Sequence, residues 1–135
     1  MAQAIAKKMG LKPGMRALLL RAPAGYAKLL EPLPPGVVIT EALNGAHEFV
    51  QYFATRKSEL KKHAGSLLKH AEPRALVWIA YPKKTSGMES DLDRETVREV
   101  LSAFGWRAVS IVAINDVWAA LRFRPVGEVK ARGRK

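Results

Sequence analysis

One apolar run, Ala75-Leu76-Val77-Trp78-Ile79-Ala80-Tyr81, ends at Pro82 and gives way to Lys83-Lys84-Thr85-Ser86-Gly87. A run of this length without polar alternation reads as a strand covered on both faces, the mark of a parallel sheet held between helices. Pro82 stops the strand, because it has no N–H to give to a neighbouring chain. Thr85-Ser86-Gly87 makes a polar loop, and Ser90 or Asp91 caps a helix whose first turn is acidic. A buried strand, a cationic loop and a fresh helix N-terminus, in that order, form an anion-facing corner of an α/β sheet.

The rest of the chain alternates in the same style. Arg16 to Arg21 reads as a central strand, and Ala22-Pro23-Ala24-Gly25 turns into a brief helix over Tyr26 to Leu30. The β-branched Val37-Val38-Ile39-Thr40 makes a second strand, and Glu48 to Ala54 a third. Ser58 to Ala71 keeps helical spacing with Leu60, Ala64, Leu67, Leu68 and Ala71, while Lys57, Lys61, Lys62 and Lys69 crowd the other side. Leu76 to Tyr81 is the fourth strand. A helix from Asp91 to Phe104 stacks Leu92, Val97, Val100, Leu101 and Phe104. Ala108 to Ile114 and Trp118 to Arg124, joined by Asn115-Asp116, form a closing antiparallel hairpin.

Strands alternating with helices imply right-handed crossovers and parallel pairing. The expected fold is therefore α/β: a three-layer Rossmann-like sandwich of about six mostly parallel strands, ending in an antiparallel hairpin. Residues 1–12 read as a basic N-terminal arm or short helix, 13–125 as one Rossmann-like domain, and 126–135 as a basic flexible tail.

From Phe49 to Arg124 the order strand, helix, strand, helix, hairpin resembles the second half of a class I methyltransferase fold, and the first half resembles a truncated version of the same fold. At the level of motifs, Leu11-Lys12-Pro13-Gly14-Met15-Arg16, Ala22-Pro23-x-Gly25-Tyr26, Tyr81-Pro82-Lys83-Lys84-x-Ser86-Gly87 and Asp116-Val117-Trp118-x-Ala120-Leu121-Arg122-Phe123-Arg124 resemble an uncharacterised bacterial family of short Rossmann-like proteins, a domain of unknown function. That resemblance implies a fold and assigns no activity.

Charge separates this chain from most domains of 135 residues. Twenty-three basic residues against twelve acidic ones leave +11 and a pI near 10.3, a surface that attracts polyanions. No cysteine is present, so disulfides, thiolate nucleophiles and cysteine-held metals are excluded. The N-terminal residues lack the apolar core of a signal peptide, and no apolar run reaches the roughly 18 residues of a membrane span. These features point to a cytoplasmic protein without membrane attachment.

In a parallel sheet, ligands sit beyond the carboxyl ends of the strands. That edge is expected to collect Gly25, Tyr26, Lys83, Lys84, Ser86, Asp116 and Trp118 as a candidate ligand-binding set. His63 and His70 lie two turns apart on one helix, too far to share a metal, and read as surface residues. Glu89, Asp91, Asp93 and Glu95 read as helix-capping charge, and no catalytic or metal-binding residue is assigned. Methyl transfer is an alternative. Glu41, after the second strand, is placed to accept from a ribose hydroxyl, but Ala22-Pro23-Ala24-Gly25 holds one glycine and a proline. Only Ala42 to Ala46 separates Glu41 from the next strand region, too few for a further helix and strand.

The leading expectation is a non-catalytic binding module without a cofactor, taking an anionic small molecule or partner at the strand ends, with self-association left open. One alternative is non-specific nucleic-acid binding through the basic helix and tails. The other is a reduced S-adenosylmethionine-dependent methyltransferase.

Overall fold

The computed structural model describes residues 5–41 and 45–126. Six strands form one sheet: β1 (Arg16–Leu20), β2 (Val38–Thr40), β3 (His47–Phe53), β4 (Ala71–Pro82), β5 (Trp106–Ala113) and β6 (Trp118–Pro125), in the order β2-β1-β3-β4-β6-β5. The first four run parallel, while β6 runs antiparallel to both β4 and β5 between them. The α/β sandwich with a closing hairpin is the expected architecture. Its helices are the short α1 (Ile5–Lys8) and α2 (Tyr26–Leu29), and the longer α3 (Lys57–Lys69) and α4 (Arg94–Ser102).

Alternation along the strands splits the core in two. Leu18, Val50, Tyr52, Val77, Ile79, Leu121 and Phe123 face α3 and α4, where Leu60, Leu67, Val97 and Leu101 meet them. Ala17, Leu19, Phe49, Phe53, Trp78 and Ala80 face the other way and pack with Met9, Leu11, Tyr26 and Leu30. β4 thus buries both faces, as its unbroken apolar run requires.

Of the two expectations for the N-terminal segment, the structure has the short helix, α1, and residues 5–11 pack into the domain. Ala6, Met9 and Leu11 are buried, and the Trp78 indole N–H donates to the Met9 carbonyl at 3.0 Å. The basic residues of this segment had masked its apolar side. β4 begins five residues earlier than expected: Ala71 pairs with His47, and the chain bulges before rejoining at Leu76 opposite Phe49. Arg74 lies in this bulge in the left-handed region, with φ 68°. Glu72-Pro73-Arg74 reads in sequence as a break, which hides the extension.

The cap of α4 also differs. Ser90 and Asp91 are occupied elsewhere: Ser90 donates to the Thr55 carbonyl at 2.7 Å, and Asp91 accepts the Lys57 N–H at 2.7 Å. Asp91 therefore serves the first turn of α3, and Asp93 caps α4 by accepting the Thr96 N–H at 2.8 Å. Phe104 leaves the apolar stripe of α4, which stops at Ser102; it is 42% exposed and rests on Gly65, where an added Cβ would lie 3.2 Å from its ring.

Ile79→Ala, at the centre of β4 with none of its surface exposed, is expected to lower unfolding free energy in urea by about 2–5 kcal/mol. Ile111→Ala, on the outer strand and 48% exposed, is expected to change it by no more than about 0.5 kcal/mol. Equal losses at the two positions would contradict this placement of the core.

Candidate functional site

The strand order reverses at β1, which pairs with β2 on one side and β3 on the other. In open α/β sheets the crevice beyond such a reversal is where ligands bind. Here β1 leaves the sheet through Arg21, whose φ is 61°, and the loop Ala22-Pro23-Ala24-Gly25. Gly25 has φ 82°, and a Cβ there would meet nothing within 4 Å. Glycine is needed at this point for its backbone conformation, and the loop runs from Ala22, packed against the core, to the exposed Ala24 and Gly25. Glu41, directly after β2, is exposed and carries a carboxylate at the end of that strand.

Below the loop, side chains fix the edge from inside. The Tyr26 hydroxyl donates to the Gln51 side-chain oxygen at 2.9 Å, and burial pushes its pKa up to about 12. Tyr26 packs edge-on against Phe53 at 4.7 Å, and Phe53 against Trp118 at 5.1 Å. Tyr26 and Trp118, only 2% and 7% exposed, are built into the core beneath the edge.

Lys83 and Lys84 lie elsewhere. With Tyr81, Asp93, Arg94, Glu95, Ile111 and Ala119 they line a hollow of about 370 Å³ on the α4 side of the sheet. The loop is pinned by the Lys83 N–H, which donates to the Val117 carbonyl at 2.7 Å. Burial raises the Tyr81 phenol above its usual range, with Arg94 acting in the opposite direction. The Lys84 ammonium stands 3.8 Å from the Asp93 carboxylate. The hydrogen bond from the Thr96 N–H, then one from the Thr96 side chain, holds Asp93 below the usual carboxylate range, and Lys84 adds to this.

The seven expected residues fall on different parts of the described fold. Gly25 belongs to the β1 loop, Lys83 and Lys84 to the α4-side hollow, and Tyr26 and Trp118 to the core. Ser86 accepts the Met88 N–H within its own turn. Asp116 is exposed, and the hairpin is shaped by its neighbour: the Asn115 side-chain oxygen accepts the N–H groups of Val117 and Trp118 at 2.9 and 2.8 Å. Of the four clustered acids, Asp91 and Asp93 serve helix starts, Glu89 meets Arg56 at 3.3 Å and Glu95 meets Arg98 at 3.1 Å. Sequence reasoning missed Arg94 and the half-buried His63, which sits in a wall and not on the open surface. Among the described residues, no helix is long and apolar enough to cross a membrane.

No protein-family model and no curated protein sequence matches the chain. Solved structures do. The chain superposes on DhpI in complex with SAH with a TM-score of 0.63 at 12% identity, covering 90% of this chain and 82% of that one. It superposes on a ribosomal protein L11 methylase from Lactobacillus delbrueckii subsp. bulgaricus with a TM-score of 0.60 at 8% identity, over 88% and 73% of the two chains. A SAM-dependent methyltransferase from Aquifex aeolicus gives 0.57 at 20% identity, over 88% and 86%. The fold is that of the class I methyltransferases. This corrects the leading functional expectation: fold neighbours solved with SAM or SAH favour the methyl-transfer alternative over a non-catalytic binding module.

Because the folded state holds Asp93 below its ordinary value, its contribution to stability is present above the unfolded carboxylate pKa and is lost as pH falls through the folded one. Asp93→Ala is expected to melt below the wild type at neutral pH, with the gap closing under acid conditions. A gap that persists when carboxylates are protonated would contradict this role.

Proposed function

We propose that the chain is an S-adenosylmethionine-dependent methyltransferase of reduced size. The observation that carries this reading is the superposition of about nine-tenths of the chain on enzymes of that class. The motif resemblance to a family of short Rossmann-like proteins fits within it, as a branch that has shed one crossover between β2 and β3.

The residues at the edge suit the cofactor. Glu41 offers a carboxylate to sugar hydroxyls, and charge-assisted hydrogen bonds of this kind are the stronger ones. Ala22, Ala24 and Gly25 carry backbone N–H groups in a loop exposed at Ala24 and Gly25, while Pro23 contributes none. Bound there, S-adenosylmethionine supplies an electrophilic methyl carbon on a positively charged sulfur. Tyr26, held by Gln51, fixes the start of α2 and so the course of the loop. The α4-side hollow, with Lys83, Lys84 and Arg94 on its wall, suits the anionic end of an acceptor, and Asp93 and Glu95 restrain its net charge to a small positive value.

Isothermal titration of the full chain with S-adenosylhomocysteine is expected to give saturable binding. Glu41→Ala should weaken it about tenfold or more, the scale of a hydrogen bond to a charged group. An absence of binding by the wild-type chain overturns the proposal.

A further inference from the structure

A smaller hollow, of about 160 Å³, lies on the α3 side of the sheet. Its walls are Leu20 and Arg21 at the end of β1, Tyr52 on β3, and His63, Ser66 and Leu67 on α3. Tyr52 is the informative residue. It is 2% exposed, and its hydroxyl is wholly buried with no hydrogen-bond partner among the described residues. Buried tyrosine hydroxyls normally find a partner, because an unpaired polar group loses its water without replacement. Burial also raises the Tyr52 pKa, so at neutral pH the group is an O–H donor that lacks an acceptor.

The surroundings define what is missing. Leu20 and Leu67 make part of the lining apolar, and the His63 ring lies 6.0 Å from the Tyr52 ring at 38°. At the rim, the Arg21 guanidinium donates to the Glu59 carboxylate at 2.9 Å, which neutralises the one full charge on the wall. Arg21 reaches that partner from a left-handed backbone conformation, φ 61°, disfavoured for a residue with a side chain. The hollow therefore offers no net charge to a ligand. Its volume is close to the roughly 150 Å³ of an apolar cavity that admits benzene.

We propose that this hollow binds a neutral, planar six-membered ring carrying one hydrogen-bond acceptor, of the phenol or pyridine type, with Leu20 and Leu67 packing against the ring and a small shift of the Tyr52 side chain bringing its buried hydroxyl to the acceptor. The site does not rest on the methyl-transfer reading, since neither Glu41 nor the Ala22–Gly25 loop lines it.

The test is an NMR titration of the full chain with phenol and, separately, benzene. Phenol is expected to shift the amides of Tyr52, His63 and Leu67, and to bind about tenfold more tightly than benzene, the ratio one hydrogen bond confers. Tyr52→Phe removes an oxygen without a partner, so it should melt at or above the wild-type temperature and bind the two probes equally. Ser66→Leu, on the exposed side of α3, narrows the hollow and should weaken both probes. Three results would overturn the proposal: no amide shifts with phenol, a phenol preference that survives in Tyr52→Phe, or a Tyr52→Phe chain that melts well below the wild type.

Discussion

Burial of β4 on both faces is the constraint on which the rest of the molecule depends. Val77 and Ile79 need α3 and α4 above them, and Trp78 and Ala80 need a second layer below. The chain supplies that second layer with little material: α1 and α2 are four residues each. Met9 compensates by filling space beside Tyr26 and by accepting the Trp78 N–H through its carbonyl. A buried indole N–H left without a partner would cost about 1–3 kcal/mol, so this contact makes residues 5–11 part of the domain. A three-layer fold is thereby completed in a short chain.

The same economy shapes the carboxyl edge. One short loop and Glu41 stand at the strand reversal, and a line of aromatic side chains, Tyr26, Phe53 and Trp118, packs in the core beneath the start of α2. On the other face of the sheet, the Lys83–Ser86 turn is anchored to the hairpin by a backbone bond, and α4 begins beside it on the Asp93 cap. The β1 loop and the cationic hollow are thus built from different elements of the sheet's carboxyl end.

The sheet and its hairpin were legible because hydrophobic periodicity and length report on burial directly: the Ala75–Tyr81 run and the α3 stripe leave few other folds open. Placement of the site was less legible. Tyr26, Lys83 and Trp118 all follow or precede strand ends, so sequence order puts them on one edge. Which face each side chain takes depends on register and on the alternation of the strands, and a shift of one residue reverses it. The caps show a related limit. Ser90, Asp91 and Asp93 are equivalent candidates by type, and the choice among them is made by α3, which claims Asp91 across 34 positions of chain. The Tyr52 hollow leaves no trace in sequence at all, since it arises from the distance between β1 and α3 and from no motif.

The central claim is that the strand reversal at β1 holds S-adenosylmethionine. Its most direct test is a map of amide chemical shifts in the ¹⁵N-labelled chain on addition of S-adenosylhomocysteine. The account predicts that the largest changes fall on Arg21 to Tyr26 and Glu41, with the amides of α3 little affected. Changes confined to α3 or to the Lys83–Ser86 turn, or no changes at all, would contradict it.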